Sequence, residues 1–331
     1  MTRRERIRAT LSGEAADRPP VSLWRHFYDR ESSAEALASA MLEFQRTYDW
    51  DFMKVNPRAS YHVEDWGVRT ERPGPGPLDK PKVVHSAVRS PEDWDRIRPL
   101  DVRQGVLGEH LDAEERIAAQ VQGDVDWVMT VFNPISIAAD LVHDDAVFVE
   151  HLRRHGERVH AALRAITETF AAFTRETMAR GASGIFFATT DWANHTRIDR
   201  EMVEEFGRPY DLRVLAEAVS APLNVLHVCG PGAYVRELAD YPIQVLSWDA
   251  HETGNPSIRA MRGVTEKTLL TGISHEGTFV NGPVRALEEE ARAAVAESGG
   301  TRFILGPGCA VPAASPAAHY AVVREAALAC A

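Results

Sequence analysis

Eight short apolar runs recur along the chain, and longer segments with helical periodicity separate them. Most of the runs are continuously apolar and rich in β-branched residues, which is typical of parallel strands buried on both faces. They span residues 20–24, 51–55, 127–132, 184–190, 223–228, 244–249, 268–273 and 302–306. The pattern therefore predicts eight parallel strands with helices between them.

The intervening segments carry apolar residues three, four or seven positions apart, and residues 148–173 define one such helix face. Strand and helix in regular alternation predict a closed (β/α)8 TIM barrel, an α/β fold, here with an N-terminal helical elaboration. An open doubly wound sheet is the alternative. That fold normally has a glycine-rich loop after its first strand, and "SLWRHFYDRE" at 22–31 is not such a loop.

Residues 57–126 interrupt the alternation. They include "ERPGPGPLDKPK" at 71–82, a stretch rich in turn-forming proline and glycine. We expect this segment to be an excursion over one rim of the barrel, and a lid is one interpretation of it. Because no internal repeat or separate linker stands out, residues 1–331 are predicted to form one domain.

The composition narrows the class of protein. The net charge of -11 argues against a nucleic-acid partner, since phosphate binding needs a basic surface. No apolar run approaches the roughly 18–20 residues of a membrane-spanning helix, and residues 1–20 lack the apolar stretch of a signal peptide. We expect a cytoplasmic protein. Its three cysteines are too few for a disulfide framework, so we consider metal binding or thiol chemistry as their role instead.

In a TIM barrel the chemistry lies at the C-terminal ends of the strands. The residues at those ends are polar after nearly every predicted strand. They include Arg25, His26, Lys54, Asn56, Asn133, Asp191, His227, Cys229, Asp249, His275 and Cys309. This convergence predicts an active site at that end of the barrel.

The stretch "LNVLHVCGPG" at 223–232 contains the most specific pattern. His227 and Cys229 lie two positions apart at the end of a predicted strand, so their side chains project to the same side. Cys309 follows the last predicted strand in a glycine-containing loop. Two cysteines and one histidine with an open fourth position form a known catalytic zinc ligand set. The residues alone leave open that the cysteines are small buried residues and His227 a satisfied core histidine.

These motifs resemble the uroporphyrinogen decarboxylase superfamily, and within it the zinc-dependent methyltransferases that act on methylcobamides and thiols of the coenzyme M type. The similar stretches are "DRPPVSLW" at 17–24, "HVCG" at 227–230, "SWD" at 247–249 and "ILGPGCAVPAASP" at 304–316. The resemblance implies that His227, Cys229 and Cys309 bind Zn²⁺. It also implies methyl transfer between a corrinoid (cobalamin-type) group, carried by a partner protein, and a thiol or other small acceptor or donor.

The decarboxylase itself has an arginine-rich stretch of the "MRQAGR" type that holds the substrate carboxylates. The corresponding "LWRHFYDRE" contains only Arg25 and Arg30, whereas an acidic porphyrinogen needs several cationic contacts. Two alternatives to the methyltransferase hypothesis remain. One is a metal-free decarboxylase of a tetrapyrrole or small carboxylate, and the other is a non-catalytic barrel that binds a corrinoid or metabolite.

Further polar residues are candidates for the chemistry. Those expected to contact substrate are Arg25, His26, Asn56, Tyr61 and Asn133. Asp249 is a candidate catalytic carboxylate, either as a partner of His227 or as a group that handles protons, and an ion pair with Lys54 is the alternative. His275 is the second catalytic candidate, because it could close the site or supply a fourth ligand. Structural ion pairs and packing are the competing interpretation for all of these residues.

Overall fold

The computed structural model describes residues 1–121 and 123–330. Its strands are β1 Phe52–Val55, β2 Arg69–Glu71, β3 Lys82–His85, β4 Asp126–Phe132, β5 Gly184–Ala188, β6 Val225–Val228, β7 Val245–Trp248, β8 Thr268–Ile273 and β9 Phe303–Pro307. Seven of them form one parallel sheet in the order β1-β4-β5-β6-β7-β8-β9, and β2 pairs with β3 in a separate antiparallel hairpin. The sheet curls as the TIM-barrel prediction requires, and strands that are adjacent in the sheet are also consecutive among its strands along the chain.

Helices cover the outside of the sheet. They are α1 Arg3–Ser12, α2 Ala34–Tyr48, α3 Gly105–Val121, α4 Pro134–Val142, α5 Asp145–Arg154, α6 Gly156–Ala179, α7 Arg200–Met202, α8 Arg208–Leu215, α9 Ile258–Arg262, α10 Thr278–Asn281, α11 Val284–Ser298 and α12 Ala317–Leu328. A π-helical turn joins α7 to α8. Because α1 precedes the segment at 20–24 that was predicted as the first strand, the predicted N-terminal helical elaboration is confirmed. Across both described ranges, none of these helices combines the length and the hydropathy of a membrane span.

The predicted strand at 20–24 is the one that does not form as a regular strand. It makes an isolated parallel bridge between Val21 and Leu305 of β9. The Ser22 amide donates to the Leu305 carbonyl at 3.1 Å, and the Asp51 amide donates to the Val21 carbonyl at 3.0 Å. This extended segment therefore lies between β9 and the residue that precedes β1, where it closes the gap in the sheet.

A longer ladder is blocked at this place for two local reasons. Pro19 and Pro20 have no amide hydrogen to donate. The amide of Val21 donates to the side-chain carboxylate of Asp51 at 2.8 Å rather than to a backbone carbonyl. The prediction of eight regular strands was thus wrong by one strand, although the extended path and the parallel direction were correct.

Two apolar clusters pack on the two faces of the sheet. The smaller one fills the barrel interior and includes Trp24, Phe52, Val128, Phe186, Val225, Val245, Leu270 and Ile304. The larger one lies between the sheet and the helices. Since side chains alternate along a strand, residues two and four positions beyond these interior residues point to the same interior. Lys54, His227 and Cys229 stand at such positions near the C-terminal end.

Residues 57–126 contain more regular structure than the sequence indicated. They hold the β2–β3 hairpin and α3, which packs against α2. The buried residues Leu107, Leu111 and Val121 of α3 have the spacing of one helix face. The lid interpretation of this segment stays a prediction.

Candidate metal centre

Three residues from two distant parts of the chain meet at the C-terminal end of the sheet. His227 lies in β6, Cys229 is the first residue after β6, and Cys309 lies two residues beyond the end of β9. Their possible ligand atoms all lie within 4.8 Å of one another. The sulfurs of Cys229 and Cys309 are 3.5 Å apart. One ion at the usual zinc–sulfur distance of about 2.3 Å from each sulfur fits this spacing.

The imidazole of His227 is held so that one nitrogen is free to bind a metal. Its Nδ1 lies 3.1 Å from the hydroxyl of Ser247, on the neighbouring strand β7. Its Nε2 is buried and has no hydrogen-bond partner in the described part of the chain. A buried nitrogen without a partner is costly, and a metal ligand often has its other nitrogen fixed by a hydrogen bond. The donor set and this orientation fit a zinc ion.

Two glycines let the cysteine-bearing loops approach their neighbours. A Cβ atom at Gly308 would lie only 2.1 Å from the carboxyl carbon of Asp249. Gly230 has a φ of +84°, and a Cβ there would meet Asn194 and Asp191 at 2.8 Å. A larger residue at either position would displace the cysteine beside it.

The hydrogen bond between the two cysteine sulfurs shifts their pKa values in opposite directions. It holds the pKa of Cys309 well below its usual range; burial opposes this shift, and His227 and His275 assist it. The same hydrogen bond, together with burial, raises the pKa of Cys229 well above its usual range. Metal binding requires both thiolates and would therefore displace any proton that either sulfur holds.

Asp249 pairs with His275, not with His227 or Lys54 as the sequence suggested. Its Oδ2 lies 2.7 Å from Nδ1 of His275, and its Oδ1 accepts the amide hydrogen of His251 at 2.8 Å. Burial opposes the charged form of His275, but the hydrogen bond to Asp249 and the nearby Cys309 sulfur outweigh it and raise the pKa of the imidazole. The two predicted catalytic residues therefore form one hydrogen-bonded pair beside Cys309.

A cavity of about 130 Å³ adjoins the three possible metal ligands. It is lined by Trp24, His26, Lys54, Asn56, Pro57, Thr130, Phe132, Phe186, Ala188, Thr190, His227, Cys229, Cys309 and Ala310. His26 and Asn56, two of the predicted substrate contacts, are thus in its wall. The apolar residues from β4 and β5 were not predicted, although their alternation along the strands indicates which of them face the interior.

The other three predicted substrate contacts lie outside this wall. The guanidinium group of Arg25 lies 4.9 Å from the ring centroid of Phe27. The side chain of Asn133 caps the N-terminus of α4. Tyr61 is fully buried, and its hydroxyl donates to the carbonyl of Thr130 at 2.6 Å. These contacts are of the structural kind that the sequence analysis gave as the competing interpretation for Arg25, Asn133 and Tyr61.

Two polar residues of the cavity wall differ in their partners. His26 Nδ1 lies 2.8 Å from a carboxylate oxygen of Glu31, a residue only 2% exposed. Lys54 donates to Oδ1 of Asn56 at 2.5 Å, and its ammonium lies 4.6 Å from the ring centroid of Phe186. Burial lowers the pKa of Lys54 to about 7, although the sulfurs of the two cysteines partly oppose this shift. The cavity therefore combines a charged group with mainly apolar walls.

The chain belongs to the family described as uroporphyrinogen decarboxylase (URO-D), whose profile matches residues 2–329. Within that class its curated relatives include the methylcobamide:CoM methyltransferase MtbA of Methanosarcina acetivorans. That protein is 22% identical over 253 residues, which are 74% of this chain and 70% of the relative. The MtbA of Methanosarcina mazei is 21% identical over 249 residues, with the same two coverages.

Solved structures show the same fold. A methyltransferase from Methanosarcina mazei superposes with a TM-score of 0.86 and 21% identity, over 99% of both chains. A B12-independent methionine synthase from a Shewanella species gives a TM-score of 0.60 at 12% identity, over 93% of this chain and 95% of the other. The solved structures show the fold, and the curated relatives indicate an enzyme of the methyltransferase class.

Proposed function

We propose that the enzyme is a zinc-dependent methyltransferase that moves a methyl group between a corrinoid and a thiol or other small acceptor or donor. A partner protein would carry the corrinoid. The observation that carries this proposal is the convergence of His227 Nε2 with two cysteine sulfurs at a cavity large enough for a small molecule. The names of the curated relatives support the same reaction.

His227, Cys229 and Cys309 would hold the ion, and a substrate thiol would take the fourth position. Bound zinc would supply deprotonation of that thiol, so that a thiolate is present as nucleophile. We assign His275, in its neutral form, as the acceptor of the proton that the thiol loses, because the hydrogen bond to Asp249 that raises its pKa also makes the neutral imidazole a stronger base. Asp249 would orient His275 through the 2.7 Å hydrogen bond. His26 and Asn56 would contact the substrate from the cavity wall.

The lining of the cavity favours this reaction over decarboxylation of a tetrapyrrole. It includes one lysine and no arginine among the described residues, whereas several carboxylates would need several cationic contacts. A small thiol needs no such set of contacts.

Metal analysis of protein purified without added metal tests the proposal. We expect about one zinc per chain, loss of zinc in Cys309→Ser, and retention of zinc in Cys330→Ser, a matched control outside the site. Methyl transfer from methylcobalamin to a small thiol should disappear with the metal. Zinc-free wild-type protein that transfers the methyl group, or a Cys309→Ser variant with unchanged activity, would contradict the proposal.

A further inference from the structure

The ammonium form of Lys54 is buried and has no carboxylate within ion-pairing distance among the described residues. The carboxylate of Glu31 favours that form only weakly, since its hydrogen bond goes to His26. Only 7% of Lys54 is exposed, and its hydrogen bond goes to the neutral amide oxygen of Asn56. The rings of Phe186 and Trp24, with centroids 4.6 and 5.5 Å from the ammonium nitrogen, stabilise it only in part. Because buried charges in proteins are normally paired, we expect a ligand to supply a negative charge close to this ammonium.

The place for that counter-charge is the cavity that Lys54 shares with the possible metal ligands. The ammonium and the imidazole of His227 flank the same ring, since the centroid of Phe186 is 4.6 Å from the one and 5.2 Å from the other. The sulfurs of Cys229 and Cys309 already favour the charged form of Lys54. Negative charge at the centre and positive charge at Lys54 therefore stabilise each other across a small space.

A count of charges indicates which ligand suits this space. A zinc ion with two thiolates and a neutral imidazole has no net charge, so the ammonium form of Lys54 adds one positive charge to the lining of the cavity. The buried carboxylate of Glu31 lies outside that lining, where it is hydrogen-bonded to His26. A ligand that binds the ion as an anion cancels that charge, whereas a neutral ligand does not. An uncompensated buried charge is unfavourable, and burial accordingly lowers the pKa of Lys54 to about 7. A single ligand anion in the cavity would offset that cost and favour the ammonium form.

Resting on the function proposed above, we propose that Lys54 is a positioning residue that selects the thiolate form of the substrate. Its charge would stabilise any small thiolate at the centre, whatever the group at the other end of the molecule. In the transfer, a sulfur electron pair forms the new sulfur–carbon bond, and the pair of the broken cobalt–carbon bond stays on the corrinoid. The thioether product is neutral, so Lys54 would also favour its release.

Calorimetric titration of the zinc-loaded protein with three ligands tests this role. Ethanethiol has a neutral tail, 3-mercaptopropionate has an acidic tail, and ethyl methyl sulfide is a neutral thioether. We expect Lys54→Met to weaken both thiols by about tenfold or more and to leave the thioether within about twofold. Lys54→Arg, which keeps the charge, should bind the thiols within about threefold of the wild type. Lys82→Met, an exposed control on β3, should change nothing.

Each other result contradicts a definite part of the proposal. If Lys54→Met weakens 3-mercaptopropionate alone, Lys54 contacts the tail and not the thiolate charge. If all three ligands weaken alike, or if the variant loses its zinc, the side chain has a packing role and the proposal is wrong. Unchanged binding of both thiols also overturns it. A zinc-loaded wild type that binds neither thiol would instead overturn the proposed function, which separates the two failures.

Discussion

At the N-terminal end of the barrel the buried carboxylate of Asp51 accepts hydrogen bonds from Arg6, Arg18 and the amide of Val21. At the C-terminal end the buried ammonium of Lys54 has a single neutral acceptor, and His227 Nε2 has no partner in the described residues. Both ends bury polar groups, but only the first satisfies them within the chain. We interpret the first as a structural device that closes the sheet and the second as a site that is completed by ligands.

The largest effect on stability is expected at the N-terminal end. Asp51→Ala would leave the buried Arg18 without a carboxylate and Arg6 with only the more exposed Asp17, and should lower the free energy of unfolding by about 3–5 kcal/mol. Urea denaturation measures it. Asp17→Ala removes a partner of Arg6 that is far more exposed and should cost about 1 kcal/mol or less. Equal costs for the two variants would remove the distinction between the buried and exposed pairs.

At the C-terminal end, Cys229→Ser should lower the affinity for zinc and leave the stability of the fold almost unchanged. We expect zinc affinity to fall by about 100-fold or more, because a hydroxyl is a poor replacement for a thiolate. The free energy of unfolding of the metal-free protein should change by about 1 kcal/mol or less. Competition with a chelating dye measures the first quantity and urea denaturation the second. A large loss of stability with unchanged zinc affinity would make this cysteine a core residue.

Ser247→Ala should give a smaller loss of zinc affinity, about tenfold, because it removes the hydrogen bond that orients His227. Ser22→Ala is the matched control, since it removes a hydrogen bond to the Phe52 carbonyl at 2.8 Å near the other end of the barrel. The control should cost about 1 kcal/mol of stability and leave zinc binding unchanged. If both serines affect zinc equally, orientation by Ser247 is not the cause.

The smallest expected effect is the pH dependence contributed by His275. Its pKa is raised in the folded protein, so its pairing with Asp249 stabilises the fold fully below about pH 6.5. That contribution is lost as the pH rises through the folded pKa. Wild-type and His275→Gln protein, both metal-free, should therefore differ most in urea denaturation near pH 6 and least at pH 9. A difference that grows with pH would mean that the pair does not hold a protonated imidazole.

Much of the fold followed from local pattern. Seven of the eight apolar runs are strands, because buried parallel strands need continuous apolar residues. The same-face spacing of His227 and Cys229 also indicated their convergence. The segment at 20–24 could not be assigned correctly from hydrophobicity alone. The carboxylate of Asp51, thirty residues away, accepts the hydrogen bond of the Val21 amide in place of a backbone carbonyl.

The structure places some site residues differently from what their sequence positions suggested, for two reasons. Trp24 and Phe132 line the cavity, and alternation along the strand puts Arg25 and Asn133 beside them on the other side; their contact with substrate stays a prediction. The partners of His227 and Asp249 could not be read from spacing. Ser247 lies opposite His227 only through the register of β6 with β7, and His275 reaches Asp249 only because Gly308 leaves room for that carboxylate.

X-ray absorption at the zinc edge measures directly whether His227, Cys229 and Cys309 bind zinc and leave a position for a thiol. The zinc-loaded protein should show two sulfur ligands at about 2.3 Å and one histidine nitrogen at about 2.0–2.1 Å. Addition of ethanethiol should add a third sulfur to the coordination sphere. A shell made only of nitrogen and oxygen would contradict this metal site, and a sulfur count that stays the same when the thiol is added would contradict thiol binding to it.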